Sequence, residues 1–203
     1  IDWGWAAPYS VLMCQVTPNG RVFVFKELYG KETHPMEVGE KIAKMCQGIN
    51  VTQSLADPSM WIRNAMSFRK PETQMYSDAS IANSMIGDSG QPFVPNMVPA
   101  NNDRVNGWRN MSELMKVTNK APNFIIMKGT CPNLARTIPE MICDERRPED
   151  LDTTLEDHAV DACRYMLSHI QAPDERKKKT KDQLRYEELL EPTPTNWNYN
   201  FKD

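Results

Sequence analysis

Asn19-Gly20 stands between two β-rich runs, 9–16 and 21–29, and no other feature constrains the chain's folding as strongly. A turn this short joins neighbouring antiparallel strands. In the second run Val22, Val24 and Lys26 alternate with Phe23, Phe25 and Glu27, so one strand face carries aromatics and the other is mixed. With 1–4 read as a strand ahead of the hairpin, the sheet begins with antiparallel strands.

Helices and strands then alternate. His34-Pro35 opens a helix in which Val38, Ile42, Met45 and Ile49 recur at helical spacing, and Gly48 ends it. The short strand 51–56 stops at Asp57-Pro58, because proline cannot donate to a ladder; Asp57 is thereby set at the strand's C-terminal end. A helical segment at 79–85 stops at Gly87, and 91–102, rich in Pro and Asn, reads as an irregular connection or hairpin arm. From Arg104, the residues Val105, Trp108, Met111, Leu114 and Met115 predict another amphipathic helix, followed by a strand at 124–127. A short helix at 134–141 is interrupted by Pro139. Thr153 and Glu156 have capping-box spacing, and beyond them Ala159, Ala162, Cys163, Met166, Leu167 and Ile170 make a buried helical stripe. The expected class is α/β, a mixed central sheet flanked by helices.

At 203 residues and 40% apolar content there is material for one domain with additions. After Pro173 the composition turns to the basic run Arg176-Lys177-Lys178-Lys179, then acids and Pro192-Thr193-Pro194, so 1–172 is expected to be the domain and 173–203 a flexible tail. The formal charge is -3, with 24 Lys and Arg against 27 Asp and Glu, and bulk charge therefore points to no polyanionic partner. A nucleic-acid role would need a local basic face. Arg63, Arg69, Lys70, Arg104, Arg109, Lys116, Lys120 and Lys128 are candidates, each more readily read as a solvated surface residue than as a phosphate contact. The apolar runs are too short to cross a bilayer, so no membrane partner is expected, and the first residues lack the pattern of a secretory signal. Cys14, Cys46, Cys131, Cys143 and Cys163 are odd in number and contain no CxxC. They read as reduced intracellular thiols rather than a disulfide framework or zinc knuckle.

Three carboxylates lie where rigid elements can present them: Asp2 on the first strand, Asp57 after a central strand and Asp161 on the last helix. On that helix Asp157, His158 and Asp161 share a polar face opposite the apolar stripe. Clustered carboxylates repel unless a cation holds them, and oxygen donors suit Mg²⁺ or Mn²⁺. Two such ions can activate water and stabilise both oxygens of a phosphodiester displacement. The plain reading stands beside this one: Asp-Pro is an ordinary turn, Asp157 favours a helix N-terminus, and a lone His158 is commonly a surface residue.

The segments Ile1-Asp2-Trp3-Gly4, Ala56-Asp57-Pro58, Arg104-Val105-Asn106-Gly107-Trp108, Cys131-Pro132-Asn133-Leu134 and Asp157-His158-Ala159-Val160-Asp161-Ala162-Cys163-Arg164-Tyr165 carry more. In order and spacing they resemble the C-terminal nuclease domain of the large terminase subunit of tailed bacteriophages, over about residues 1–170. That resemblance implies an RNase H-like fold and a metal-dependent endonuclease that cuts concatemeric double-stranded viral DNA during genome packaging. It implies Asp2, Asp57 and Asp161 as catalytic metal ligands holding two Mg²⁺ or Mn²⁺ ions, with Asp2 bridging and His158 as a direct or supporting ligand able to move protons. Asp157 is the alternative helix ligand, which would leave Asp161 structural. Implied partners are the portal protein, the small terminase subunit and an ATPase domain of the same protein, in the host bacterial cytoplasm. No GxxxxGK[ST] phosphate loop occurs, so the nuclease half alone is matched. Two other readings remain: a non-catalytic DNA- or portal-docking module on the same scaffold, and another RNase H-like nuclease of resolvase or transposase type.

Overall fold

The hairpin forms where Asn19-Gly20 puts it. In the computed structural model, which describes residues 1–62, 77–83, 91–117, 122–170, 180–182 and 185, β1 (Tyr9–Val16) and β2 (Val22–Gly30) pair antiparallel from Tyr9 opposite Gly30 to Val16 opposite Val22. The Gly20 N–H donates to the Thr17 carbonyl at 2.9 Å, and Gly20 takes φ 81°, a left-handed conformation that costs glycine little. On the far side of β2, β5 (Phe124–Ile126) pairs parallel, making a mixed sheet.

The segment 1–2 lies between two ladders. Asp2 exchanges backbone bonds with Ser10 at 2.8 and 3.0 Å in an antiparallel bridge. On the other flank the Ile1 nitrogen donates to Leu55 O at 2.7 Å and Asp57 N–H donates to Ile1 O at 2.9 Å. Leu55 belongs to β3 (Ser54–Ala56), which pairs parallel with β4 (Met97–Pro99). The expected antiparallel start and mixed sheet are thus present, and the architecture is RNase H-like.

Helices cover both faces. α1 (Pro35–Cys46) and α2 (Asp78–Ala82) lie on one side, where Val38, Ile42 and Met45 pack with Tyr9, Val11 and Met13. α3 (Arg104–Met115), α4 (Pro132–Thr137) and α5 (His158–Leu167) cover the other, where Trp108, Leu114, Leu134, Ala159, Cys163 and Leu167 meet Val22 and Val24. Burying residues of such size against a sheet is worth about 1.5–3 kcal/mol each, which is ample to orient these short helices.

Local departures from the sequence reading have physical causes. β4 falls within 91–102, where three residues ending in Pro99 are too few for an alternating signal, and an edge position tolerates the proline. The capping box does not form. Glu156 instead accepts from Tyr29 Oη and Arg136 Nη2, both at 2.6 Å, and α5 begins one residue after Asp157, which makes no side-chain cap bond. α4 starts at Pro132 because Glu27 on β2 accepts from the N–H groups of Asn133 and Leu134 at 2.9 and 2.8 Å. Past Thr137 the chain tightens to a 3-10 turn, Ile138–Glu140, since Pro139 has no N–H to continue the α pattern. All five cysteines are free, with Cys131 and Cys163 buried. Among the described residues no helix is long and apolar enough to cross a membrane. The proposed tail, apart from 180–182 and 185, lies outside the described residues, as do Arg63, Arg69, Lys70 and Lys120.

Candidate functional site

Asp2, Asp57 and the first turn of α5 come together where the 1–2 segment passes between the ladders. Each carboxylate is placed by backbone. Asp2 is pinned by its bridge to Ser10, and Asp57 directly follows β3 with its N–H on Ile1. Asp57 Oδ1 also accepts from Ser59 N–H at 2.8 Å, fixing the start of the 3-10 turn Pro58–Trp61. Asp161 sits one turn into α5, facing Arg104 of α3, and is only 9% exposed. The polar face expected opposite the apolar stripe is itself largely buried, with Asp157 at 8%.

His158 Nδ1 lies 3.1 Å from Asp2 Oδ2. Burial pushes the Asp2 carboxyl up to about 6; the hydrogen bond from His158 opposes the rise, and the charges of Asp161 and Asp57 add to it. The same bond to Asp2 raises His158 above its usual range, against its own partial burial. Burial, then the charge of Asp161, raises Asp157. Burial, followed by the charge of Asp57, pushes the Tyr165 phenol up to about 12. Asp2 therefore shares one electrostatic neighbourhood with Asp57, His158 and Asp161.

Asp161 has company that the sequence did not announce. Its Oδ1 accepts from Arg164 Nε at 2.8 Å and its Oδ2 from Arg104 Nη1 at 3.0 Å. Arg104 also grips Asp150, with Nε 3.0 and 3.1 Å from the two oxygens, and Asp150 Oδ1 accepts from Trp108 Nε1 at 2.7 Å. Arg164 is fully buried between the Trp108 and Tyr165 rings, 5.0 and 4.3 Å from their centroids. Its stem passes so close to α3 that a Cβ on Gly107 would stand 2.7 Å from Arg164 Cγ. The only sequence signal for this network is the three-residue step from Asp161 to Arg164, a spacing that brings helical side chains together. Of the other basic candidates, Lys116 pairs with Glu113 and Arg109 reaches Asn106.

In kind, the donors suit a hard divalent cation: carboxylate oxygens, with an imidazole beside them. The burial that lifts Asp2, and the repulsion from Asp161 and Asp57 that adds to it, are what such a cation would offset. In direction they do not yet suit one. Asp161 faces two guanidiniums, and among the described residues no three His, Cys, Asp or Glu side chains gather closely enough to hold a metal ion together.

No protein-family model matches the sequence, and no curated protein matches it. A solved structure does match: the nuclease domain of the large terminase of bacteriophage SPP1, determined with bound Mn. It superposes with a TM-score of 0.54 over 82% of this chain and 81% of that one, at 15% sequence identity. The chain has the fold of a large-terminase nuclease domain. At this identity the likeness is one of architecture.

Proposed function

We propose that this protein is a divalent-metal-dependent endonuclease acting on double-stranded DNA during viral genome packaging. The observation that supports the reading best is the 3.1 Å contact of His158 with Asp2, with Asp57 bonded to the neighbouring Ile1 and Asp161 one turn along α5, on a terminase-nuclease fold. In this reading Asp2, Asp57 and Asp161 would hold the divalent ions, Mg²⁺ or Mn²⁺ and two in number, with Asp2 shared between them. Bound there, such ions would supply Lewis-acid stabilisation of the charge that develops on the phosphodiester and would acidify water. His158, hydrogen-bonded to Asp2, sets that carboxylate's orientation and is the nearest group able to carry a proton. No side chain serves as a nucleophile. Expected partners are duplex DNA, a portal, a small terminase subunit and an ATPase domain, in the bacterial cytoplasm.

The double arginine grip on Asp161 favours a second reading, a DNA- or portal-docking module that no longer cuts. Plasmid cleavage in Mn²⁺ decides between them. Cleavage by the intact chain that is lost in Asp2→Asn, Asp57→Asn and Asp161→Asn, each still folded, supports the nuclease. Absence of cleavage by the wild type, or undiminished cutting by the triple variant, refutes it. Preference for branched over linear duplex would move the assignment to a resolvase-type enzyme.

A further inference from the structure

Asp161 is already neutralised by this chain's own cations. Arg104 and Arg164 bring two positive charges to Asp150 and Asp161, so the four groups balance without any metal. A divalent ion approaching Asp161 meets two guanidiniums, and like charges so close in a partly desolvated site repel strongly. One of them must yield.

The two arginines are held very differently. Arg164 has no exposed side-chain surface, sits on the same helix as Asp161, and is wedged between two aromatic rings beneath Gly107. It has no room to leave. Arg104 comes from another element, the first residue of α3, and its side chain is 26% exposed. Its Nε stays on Asp150 whether or not Nη1 bonds Asp161, so the guanidinium can turn about Asp150 without becoming an unpaired buried charge. Its Nη2 is buried with no hydrogen-bond partner among the described residues, as is Nη1 of Arg164, so what sets Arg104 apart is its exposure and its anchor on Asp150.

We propose that Arg104 is an internal counter-cation that competes with divalent metal for Asp161, and that a DNA phosphate drawing Arg104 away couples metal loading to DNA binding. This rests on the nuclease reading above. A phosphate oxygen suits the freed fork of Arg104, and the departing guanidinium bares Asp161 to the metal. By linkage, DNA then tightens the metal and the metal tightens DNA by the same factor. A nuclease built this way stays poorly loaded until its substrate is in place.

The test is Mn²⁺ affinity of the intact chain, measured by calorimetry or by the EPR signal of free Mn²⁺, with and without a short duplex. Without DNA, Arg104→Gln should bind Mn²⁺ about tenfold more tightly than the wild type, within the range usual for coupled sites. The duplex should tighten Mn²⁺ for the wild type and do little for the variant. Unchanged or weaker Mn²⁺ binding by Arg104→Gln overturns the proposal. If circular dichroism shows that variant unfolded, Arg104→Lys carries the test, because one ammonium cannot span Asp150 and Asp161 as the fork does, and tighter binding is again expected. The nuclease reading can fail separately. If Asp161→Asn weakens Mn²⁺ binding, the metal reading stands whatever Arg104 does; if no form binds Mn²⁺ even with duplex, both fall.

Discussion

Replacing Asp2 by Asn in the absence of metal should make the protein more stable, and the gain should depend on pH. The folded carboxyl, pushed up to about 6 from 3.8, holds its proton more tightly than the unfolded one. Between about pH 4 and pH 6 the folded state therefore carries more protons than the unfolded state. Its stability falls as pH rises through that window and is level above it. The full rise corresponds to about 3 kcal/mol of destabilisation once Asp2 is ionised, and to roughly half of that at pH 5. Asn keeps the shape, carries no charge to desolvate, and can donate its amide to His158 Nδ1 in place of the lost bond. Thermal melts in chelator should show the variant ahead by roughly 6–12 °C at pH 8, for a chain of this size, and by about half as much at pH 5. Adding Mn²⁺ should narrow the difference, because only the wild type retains the ligand through which a bound ion stabilises. A variant no more stable than wild type at pH 8 in chelator, or a gain that shrinks from pH 5 to pH 8, would show that Asp2 is not under electrostatic strain.

Other outcomes follow from the same geometry. Gly107→Ala should cost about 1–3 kcal/mol in denaturant unfolding, since its Cβ would meet the immobile stem of Arg164; a neutral effect would mean that Arg164 has slack. Glu27→Gln should cost about 1–2 kcal/mol by weakening the acceptor at the start of α4, and amide exchange at Asn133 and Leu134 would report it directly. Mn²⁺ affinity should rise from pH 5.5 to pH 8, because protons held by Asp2 near 6, and by His158 above its usual value, compete with the ion. A pH-independent affinity would remove both residues from the metal's surroundings.

The sequence was most readable where one local rule acts alone. Asn19-Gly20 placed the hairpin, and the three-and-four stripe from Ala159 placed α5. Asp57 was placed because Pro58 ends a strand wherever it occurs. Strand β4 was not legible: three residues paired parallel to a distant partner leave no periodicity behind. Nor was the true start of α5, because Glu156 has the spacing of a cap but is drawn to Tyr29 and Arg136 from elements more than a hundred and some twenty residues away. For the site, single residues on separate elements could be proposed from their types and positions. The arginine grip on Asp161 was invisible, since it depends on α3 crossing α5 closely enough for Gly107 to admit Arg164. The residue types suggested a chemistry; the tertiary packing decides which charge answers which.

The segment 1–2 is bonded on both flanks, to Ser10 on one side and to Leu55 and Asp57 on the other. Part of the cohesion between the two sheets and the proposed chemistry therefore hang on the same two residues. An insertion or backbone change there would break the hydrogen bonds that join the three-stranded sheet to the two-stranded one, leaving their shared apolar core to hold them, and would lower activity through loss of structure alone. Loss of function after altering this seam says nothing about catalysis until the altered protein has been shown to hold together.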